Sequence, residues 1–268
     1  MRSRRNLILA ISTCIAILIV SLITHPSSFA NNVRVTARAN VESSIGFAEG
    51  RTIENSIQVL IDFAGKTVAN PFRYGNLKIT SATSNLGQLE ILDAGGEISY
   101  SESSFQLTDR FASLVEPIAN GVRLTLEFFN ENKPTIIQKL QGSIDFQTID
   151  PNQIVTVNNL SGNFPITVNH PKLENLGSFS IIKDTSSSAP RYELEVVGEG
   201  NNVPDFSARL IEANGNIINP NISIIDRFSR SVGFTVNDGS LSNASIEILI
   251  GFNTTTVPFN LSNIPIEQ

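Results

Sequence analysis

Apolar and polar residues alternate with a period of two along much of the chain after residue 30. In residues 57–63 and 122–128, apolar side chains occupy every second position, and residues such as Asp62 and Arg123 stand between them. The same alternation recurs in residues 192–197 and 246–252. A strand of this kind has one face in a core and one face in water, which is typical of antiparallel sheets. The pattern predicts an all-β protein.

Turn signals separate these strands. Asn120-Gly121, Asn214-Gly215 and Asp238-Gly239 favour tight hairpins, because asparagine, aspartate and glycine tolerate positive φ angles. Residues 43–55 offer the best place for a short helix, but their two glycines favour a loop. Further strands are predicted at residues 33–39, 77–82, 98–107, 135–146, 154–157, 179–183, 206–211 and 231–236. Many short strands at this spacing favour β-sandwiches.

A domain boundary is predicted at Asp150-Pro151-Asn152, where a proline and polar turn residues separate two strand-rich stretches of similar size. Domain one is then residues 31–150, and domain two is residues 151–268. We interpret the serine-rich residues 185–190 as a surface loop within domain two, although a linker would have the same composition.

The two halves share an order of features. Asp109-Arg110-Phe111 and Asp226-Arg227-Phe228 occupy matching places between a turn and an alternating strand. This order suggests a duplicated sandwich, which would require the same strand order in both halves. Within each half we expect the Asp-Arg pair to tether a strand edge.

The strand spacing and the turn Glu212-Ala213-Asn214-Gly215-Asn216 resemble the immunoglobulin-like and fibronectin type III-like modules of bacterial exported proteins. The resemblance implies two tandem antiparallel β-sandwiches. The chain departs from immunoglobulin domains proper, since it has no tryptophan and no pair of cysteines for the disulfide.

Residues 1–30 predict a cleavable signal peptide. Arg2, Arg4 and Arg5 form a basic start, residues 7–24 carry no charge, and Ser28-Phe29-Ala30 provides small residues around a cleavage point after Ala30. The alternative is an uncleaved membrane anchor, because the apolar run is near the minimum length that spans a bilayer. The twin-arginine route is a second alternative, but a run this rich in Ile and Leu favours general secretion.

Cys14 is the only cysteine, and it lies inside the predicted signal. The mature chain would therefore have neither disulfides nor thiolate metal sites. Removal of three arginines leaves 16 basic and 25 acidic residues, a net charge of −9. An acidic chain with dispersed charge disfavours nucleic acid and anionic membrane as partners.

Candidate catalytic residues are few. His170, the only histidine beyond the signal, lies at a strand-to-turn boundary. The sequence has no G-x-S-x-G motif whose serine this histidine could activate, so we interpret His170 as a loop residue. Two carboxylates can hydrolyse a glycoside. Glu193 and Glu195 share one face of a strand, which is also the ordinary wet side of a sheet. The acidic residues of 90–97 are a second such group.

A calcium loop is the one metal site that the sequence suggests. Glu212, Asn214 and Asn216 place oxygen side chains at alternating positions round a glycine turn, a spacing that calcium loops use. The alternative, which we favour, is a hairpin turn that needs no ion. No other cofactor is expected.

These observations predict a non-enzymatic exported protein that binds a protein or polysaccharide at the cell envelope, in the periplasm or in the extracellular space. Two alternatives stay open. A carbohydrate-active or accessory sugar-binding protein would present an exposed row of Tyr or Phe on one sheet. A periplasmic assembly chaperone would need a long unpaired edge strand.

Overall fold

The structure is a computed structural model. It describes residues 27–30, 32–42, 46–48, 51–53, 56–92, 106–107, 114–160, 164–184, 191–225, 229–237, 241 and 243–267. These residues form β-strands and two short 3-10 helices, so the predicted all-β class is confirmed. Within these ranges, no helix has the length and apolar character needed to cross a membrane.

The described residues contain 22 strands, most of them at or near predicted positions. They are β1 (Ser27–Ala30), β2 (Val33–Glu42), β3 (Gly46–Ala48), β4 (Arg51–Ile53), β5 (Ser56–Ala64), β6 (Arg73–Ser84), β7 (Gly87–Gln88), β8 (Glu90–Leu92), β9 (Gln106–Leu107), β10 (Val115–Ile118), β11 (Gly121–Phe129), β12 (Ile136–Ile149), β13 (Ile154–Asn158), β14 (Ile166–Thr167), β15 (Ser178–Asp184), β16 (Arg191–Glu199), β17 (Ser207–Ile211), β18 (Ile217–Ile218), β19 (Ile222–Ile225), β20 (Ser229–Asn237), β21 (Ser245–Leu249) and β22 (Phe252–Glu267). The 3-10 helices are Lys66–Val68 and Pro151–Gln153.

The chain divides into two compact units. Unit one is the chain up to Thr148 together with Thr254–Gln268, and unit two is Ile149–Asn253. The predicted boundary motif lies just inside unit two, where the Asp150 side chain accepts a hydrogen bond from Asn152 N and caps the 3-10 helix. The sequence division placed the C-terminal residues in domain two. They lie in unit one because β22 joins its sheet.

Unit one is built on one 11-stranded sheet. Its main path runs β10-β11-β5-β2-β22-β12-β6-β7. Three strands lie off this path: β1 pairs with β2, β8 pairs with β11, and β9 pairs with β6. β3 and β4 form a separate pair within the predicted loop at residues 43–55. The alternation places every second side chain of β2, β5 and β11 in a single hydrophobic core.

Three phenylalanines from different strands meet in that core. The Phe63 ring centroid lies 5.3 Å from that of Phe146 and 6.0 Å from that of Phe259, both edge-on. Edge-to-face contacts of this kind add to the apolar area that each ring buries. The core of unit one is thus closed by β5, β12 and β22.

The long C-terminal strand β22 was not predicted. Val257, Phe259 and Leu261 alternate inward, and Asn263, with φ 57°, shifts the alternation so that Ile264 and Ile266 face the core again. β22 runs parallel to β2, with Ala39 opposite Ile266, so the expectation of purely antiparallel sheets is wrong at this pair. A parallel pairing requires a long connection, and the chain between β2 and β22, which contains β3 to β21, provides it.

Unit two contains two sheets. One has four strands in the order β13-β21-β17-β18, and the other has five in the order β14-β15-β16-β20-β19. Side chains from both sheets, among them Ile246 and Leu210 of the first and Leu194 and Phe234 of the second, belong to one hydrophobic core. The ring centroids of Phe179 and Phe206 lie 5.3 Å apart in it.

The prediction of two tandem immunoglobulin-like sandwiches is not confirmed, because all the described strands of unit one except the pair β3 and β4 belong to one sheet rather than to two packed sheets. The strand orders of the two units differ, which argues against the duplication. Several predictions lie outside the described residues: both Asp-Arg-Phe motifs, most of the strand at residues 98–107, and residues 1–26 of the signal peptide.

Candidate functional site

Unit two exposes an apolar segment where the chain passes from one sheet to the other. Residues 217–225, the edge segment, contain β18 at the end of the four-stranded sheet and β19 at the end of the five-stranded sheet. Among the described residues, β19 has one hydrogen-bonded neighbour, β20, and β18 has one, β17. The other side of each strand is therefore a sheet edge.

The edge segment, where no strand was predicted, exposes large apolar side chains. Ile224 is 54% exposed and Ile217 is 50% exposed, the largest values for large hydrophobic side chains in the described part of the chain. No charged residue occurs between Glu212 and Asp226. Soluble proteins usually protect an edge with charges, especially lysine. This edge lacks such protection within its own sequence.

The outward face of the five-stranded sheet continues the apolar surface inward from Ile224. Ile224 lies opposite Ser231 on β20, and Ser231 lies opposite Val197 on β16. Their chain neighbours Val196 and Val232 belong to the core, so Val197 and Ser231 face away from it. Val197 is half-buried and Ser231 is buried. Ile224 thus stands at the rim of this face beside Ser231 and Val197, and Glu193 and Glu195 lie further along the same face of β16.

Side-chain hydrogen bonds fix the start of β19. Asn221 Nδ2 donates to Thr235 Oγ1 at 2.9 Å, and Thr235 N donates to Asn221 Oδ1 at 3.1 Å. At the other end, Arg230 lies opposite Ile225 and its Nη2 is 2.6 Å from Asp205 Oδ1. The start of β19 is therefore fixed by side-chain bonds, and the positive charge of Arg230 opposite its other end is paired.

The three predicted calcium ligands do come together, in the hairpin turn between β17 and β18. Asn216 N donates to Asn214 Oδ1 at 2.8 Å, and Asn216 Nδ2 donates to Glu212 Oε2 at 2.9 Å. Glu212 N donates to Asn216 O and Gly215 N donates to Glu212 O. These bonds make a complete turn from the chain's own groups, which is the geometry of the ion-free alternative.

His170 lines an open pocket of about 570 Å³ beside β14 and β15, with Leu173, Glu174, Ser178 and Phe179 among its other walls. The ring Nδ1 of His170 accepts a hydrogen bond from Lys172 N at 3.2 Å, and the His170 carbonyl accepts one from Leu173 N at 2.8 Å. These bonds hold the turn after β14, so His170 has a local structural role.

The predicted carboxylate groups are spread over surfaces. Glu193 and Glu195 lie on the outward face of β16, opposite Thr235 and Gly233. Glu90 lies on β8, whereas Asp93 and Glu97 are outside the described residues. Where side chains are described, no group of three or more His, Cys, Asp or Glu residues is arranged to hold a metal ion.

Ala30, the predicted cleavage residue, ends β1. The backbone of β1 pairs antiparallel with β2, and Ala30 lies opposite Val33. Cleavage after Ala30 would remove this strand and leave β2 paired with β5 along its length.

Sequence reasoning missed the edge segment. The signal that could have found it is the absence of charge between Glu212 and Asp226, combined with the Ile pairs at 217–218 and 224–225. Alternation alone could not, because it does not distinguish a central strand from an edge strand.

Comparison with profiles of known protein families finds no match, and comparison with curated proteins finds no similar sequence. Function is therefore inferred from this chain's own residues.

Proposed function

We propose that this chain is an exported, non-enzymatic binding module that contacts a protein partner at the cell envelope through the edge segment of unit two. The observation that carries the proposal is the 54% exposure of Ile224 on a charge-free edge strand. An exposed sheet edge offers unpaired backbone groups to an added strand, and exposed apolar side chains beside it add area to the contact.

The exposed apolar residues favour this proposal over sugar binding. In the described part of the chain, the exposed large hydrophobics are aliphatic: Val41, Leu86, Ile91, Ile136, Ile217 and Ile224. Sugar rings stack on flat aromatic faces, whereas branched aliphatic side chains suit contacts with another strand.

The sheet ends also favour a binding module over a strand-lending chaperone. Within the ranges that the structure describes, the strands that end the sheet orders are β3, β4, β7, β10, β13, β14, β18 and β19. Of these, β13 is the longest, with 5 residues. Short edges offer a limited contact rather than a long docking groove.

The experiment compares capture of envelope proteins by the wild-type chain and by Ile224→Lys. A lysine at position 224 places a charge on the edge and should abolish specific capture. Ile136→Lys, at a 39% exposed position of unit one, is the matched control and should capture as the wild type does. Equal capture by all three chains would show that the edge is not the binding surface.

We further propose that the module reaches its partner by export, with cleavage after Ala30. We also propose that unit two is an immunoglobulin-like sandwich. The basic start and uncharged run of residues 1–30 support export, and the two sheets around one core support the sandwich. Cell fractionation with N-terminal sequencing tests the first part: the exported chain should begin at Asn31. An intact Met1 in the membrane fraction would instead support the uncleaved anchor.

A further inference from the structure

We propose that cleavage after Ala30 opens a second binding edge, on β2, and that this edge binds an extended acidic segment of a partner protein. The inference goes beyond the edge segment of unit two and rests only on the proposed cleavage. The new surface, the leader edge, is the backbone edge of residues 33–38 together with the exposed side chains of Arg34 and Arg38.

The structure shows that the leader edge accepts an added strand. β5 pairs with β2 over residues 34–42 and so occupies one of the two edges of that strand. β1 therefore pairs with residues 33–36 along the opposite edge. On this same edge β22 pairs only at Ala39 and Asn40. Removal of β1 leaves the backbone groups along residues 33–38 available to another strand, and β22 bounds the open stretch at one end.

Charge identifies the kind of segment that fits this edge. Arg34 and Arg38 are exposed on the outward face of β2. In the part of the chain that the structure describes, neither arginine forms an ion pair or a side-chain hydrogen bond. Arg123, Arg209 and Arg230, by contrast, each pair with a carboxylate. The leader edge thus offers two unpaired cations to the carboxylates of a partner.

The neighbouring strand leaves these two cations available. On β5, the residues opposite the two arginines are Ala64 and Leu60, which carry no charge. Asp62 lies between them, opposite Thr36, and is ion-paired to Arg123 of β11. A third carboxylate beside Thr36 would approach Asp62, so an incoming residue at that position should be neutral.

The register of β1 sets the spacing of the acidic residues. An antiparallel strand in that register has one residue opposite Arg38 and another, four positions later, opposite Arg34. Directly opposite side chains lie on the same face of a sheet, so acidic residues at these two positions meet both guanidinium groups. The residues opposite Val35 and Ala37 adjoin the core and should be apolar. The recognised segment therefore reads acidic, apolar, neutral, apolar, acidic.

The net negative charge of the chain does not prevent this contact. Exposed charges more than roughly 8 Å apart are largely screened at physiological salt, so the nearest groups decide. Residues 33–38 contain two arginines and no acidic residue. Each exposed ion pair contributes little, and the backbone pairing of the added strand contributes the rest. Binding should therefore be weak and should weaken further as salt is added.

Titration of six-residue peptides into the exported chain beginning at Asn31, followed by amide NMR, tests the inference. The peptide EVSVEA should shift the signals of residues 33–38 and bind roughly tenfold more tightly than KVSVKA, in which lysines replace both glutamates. It should also bind more tightly than EVSEVA, which has the same composition but places its acidic residues on opposite faces of a strand. The full chain in detergent micelles, where β1 covers the edge, should show none of these shifts.

Variants test the role of the two arginines. The double change Arg34→Glu and Arg38→Glu should weaken binding of EVSVEA roughly tenfold or more, whereas Arg34→Lys with Arg38→Lys should retain most of it, because the charges remain. Lys78→Glu with Lys139→Glu, at exposed positions of β6 and β12, is the matched control and should bind as wild type does. Thermal unfolding checks that each variant is folded.

Three results would overturn the inference. Equal binding of the three peptides would show that the edge does not recognise acidic residues. Equal binding by the full chain would show that cleavage is not required, and an exported chain that retains Met1 would keep β1 in place. Absence of shifts at residues 33–38 with EVSVEA would show that no strand is added there.

These outcomes are separate from those of the capture experiment. If Ile224→Lys loses capture of envelope proteins but no peptide binds the leader edge, only this inference fails. If EVSVEA binds the leader edge but Ile224→Lys captures as wild type does, the proposed role of the edge segment fails and this inference stands.

Discussion

Gly142 and Phe259 approach so closely that a Cβ atom added at position 142 would lie 2.6 Å from Phe259 Cζ and 2.2 Å from the Lys78 carbonyl oxygen. Gly142 lies on β12, Lys78 on β6 and Phe259 on the C-terminal strand β22. The missing side chain is therefore what allows the C-terminal strand to pack its aromatic ring against the rest of unit one.

Gly142→Ala should destabilise the protein by about 1 to 3 kcal/mol, because the added methyl group overpacks the core and meets backbone that cannot move aside. Chemical denaturation followed by circular dichroism measures the change. Ser143→Ala, at the next position of β12 and on its other face, is the control and should change stability by less than about 0.5 kcal/mol. Equal stability of both variants would show that β22 does not pack against β12 in this way.

Arg123 and Asp62 form a two-pronged ion pair across β11 and β5. Arg123 Nε lies 2.6 Å from Asp62 Oδ1, and Nη2 lies 3.0 Å from Oδ2. Arg123→Lys keeps the charge but loses the two parallel hydrogen bonds, so we expect the free energy of unfolding to fall by about 0.5 kcal/mol for this partly buried pair. A double-mutant cycle with Asp62→Asn measures the coupling. Glu116→Gln, whose partner distance from Arg123 is 3.4 Å, should have a smaller effect.

Much of the fold follows from local pattern, and β22 shows where the pattern misleads. Its inward residues alternate on either side of the shift at Asn263, but Pro258 and Pro265 interrupt the run and demote a strand prediction. Both prolines occupy exposed positions, so the strand tolerates them. That β22 returns to unit one was beyond the sequence, because strand partners are chosen by tertiary contacts rather than by local propensity.

Two glycines also show which features the local sequence predicts and which depend on tertiary contacts. Gly215 adopts φ 83° in the turn between β17 and β18, which confirms the Asn-Gly prediction there. Asn120-Gly121 was also predicted to form a turn, but a different constraint requires glycine at position 121. Gly121 begins β11, where an added Cβ would lie 1.9 Å from the Phe63 carbonyl oxygen. Close approach of two strands is a tertiary fact, so the dipeptide alone could not reveal it.

The candidate site was less predictable than the fold. The sequence identified Glu212, Asn214 and Asn216 as neighbours, and the hairpin places them together. No strand was predicted between residues 211 and 231, so Ile224 received no weight. Its exposure depends on β19 being the last strand of its sheet, which only the assembled topology shows.

Glu127 should make stability depend on pH. Burial raises the pKa of its carboxyl, and the nearby Glu42 raises the pKa further. A carboxyl whose pKa is higher in the folded state than in the unfolded state binds its proton more tightly when folded, so its contribution favours folding at low pH and is lost as pH rises through the folded pKa. Glutamine has no charge to lose or gain, so Glu127→Gln removes the destabilisation that the ionised carboxylate causes. The variant should therefore have a higher melting temperature at pH 7.

The difference between wild type and Glu127→Gln should vanish well below pH 4.5, the ordinary pKa of a glutamate, because Glu127 is then protonated in both the folded and the unfolded chain. Thermal unfolding at a series of pH values measures it. Glu174→Gln, in an exposed loop of unit two, is the control for loss of one negative charge. A variant that melts below wild type at pH 7 would contradict the burial of this carboxyl.

The hairpin at Glu212 tests whether an ion is part of this structure. The Asn216 amide groups already donate to Glu212 Oε2 and Asn214 Oδ1, so the turn is complete without an ion. We therefore expect the same melting temperature in millimolar calcium and in chelator. A rise with calcium that disappears in Glu212→Gln would instead establish the calcium loop. Glu247→Gln, whose partner is Arg209 on the neighbouring strand, controls for general loss of acidic charge in unit two, since it leaves all three loop oxygens unchanged.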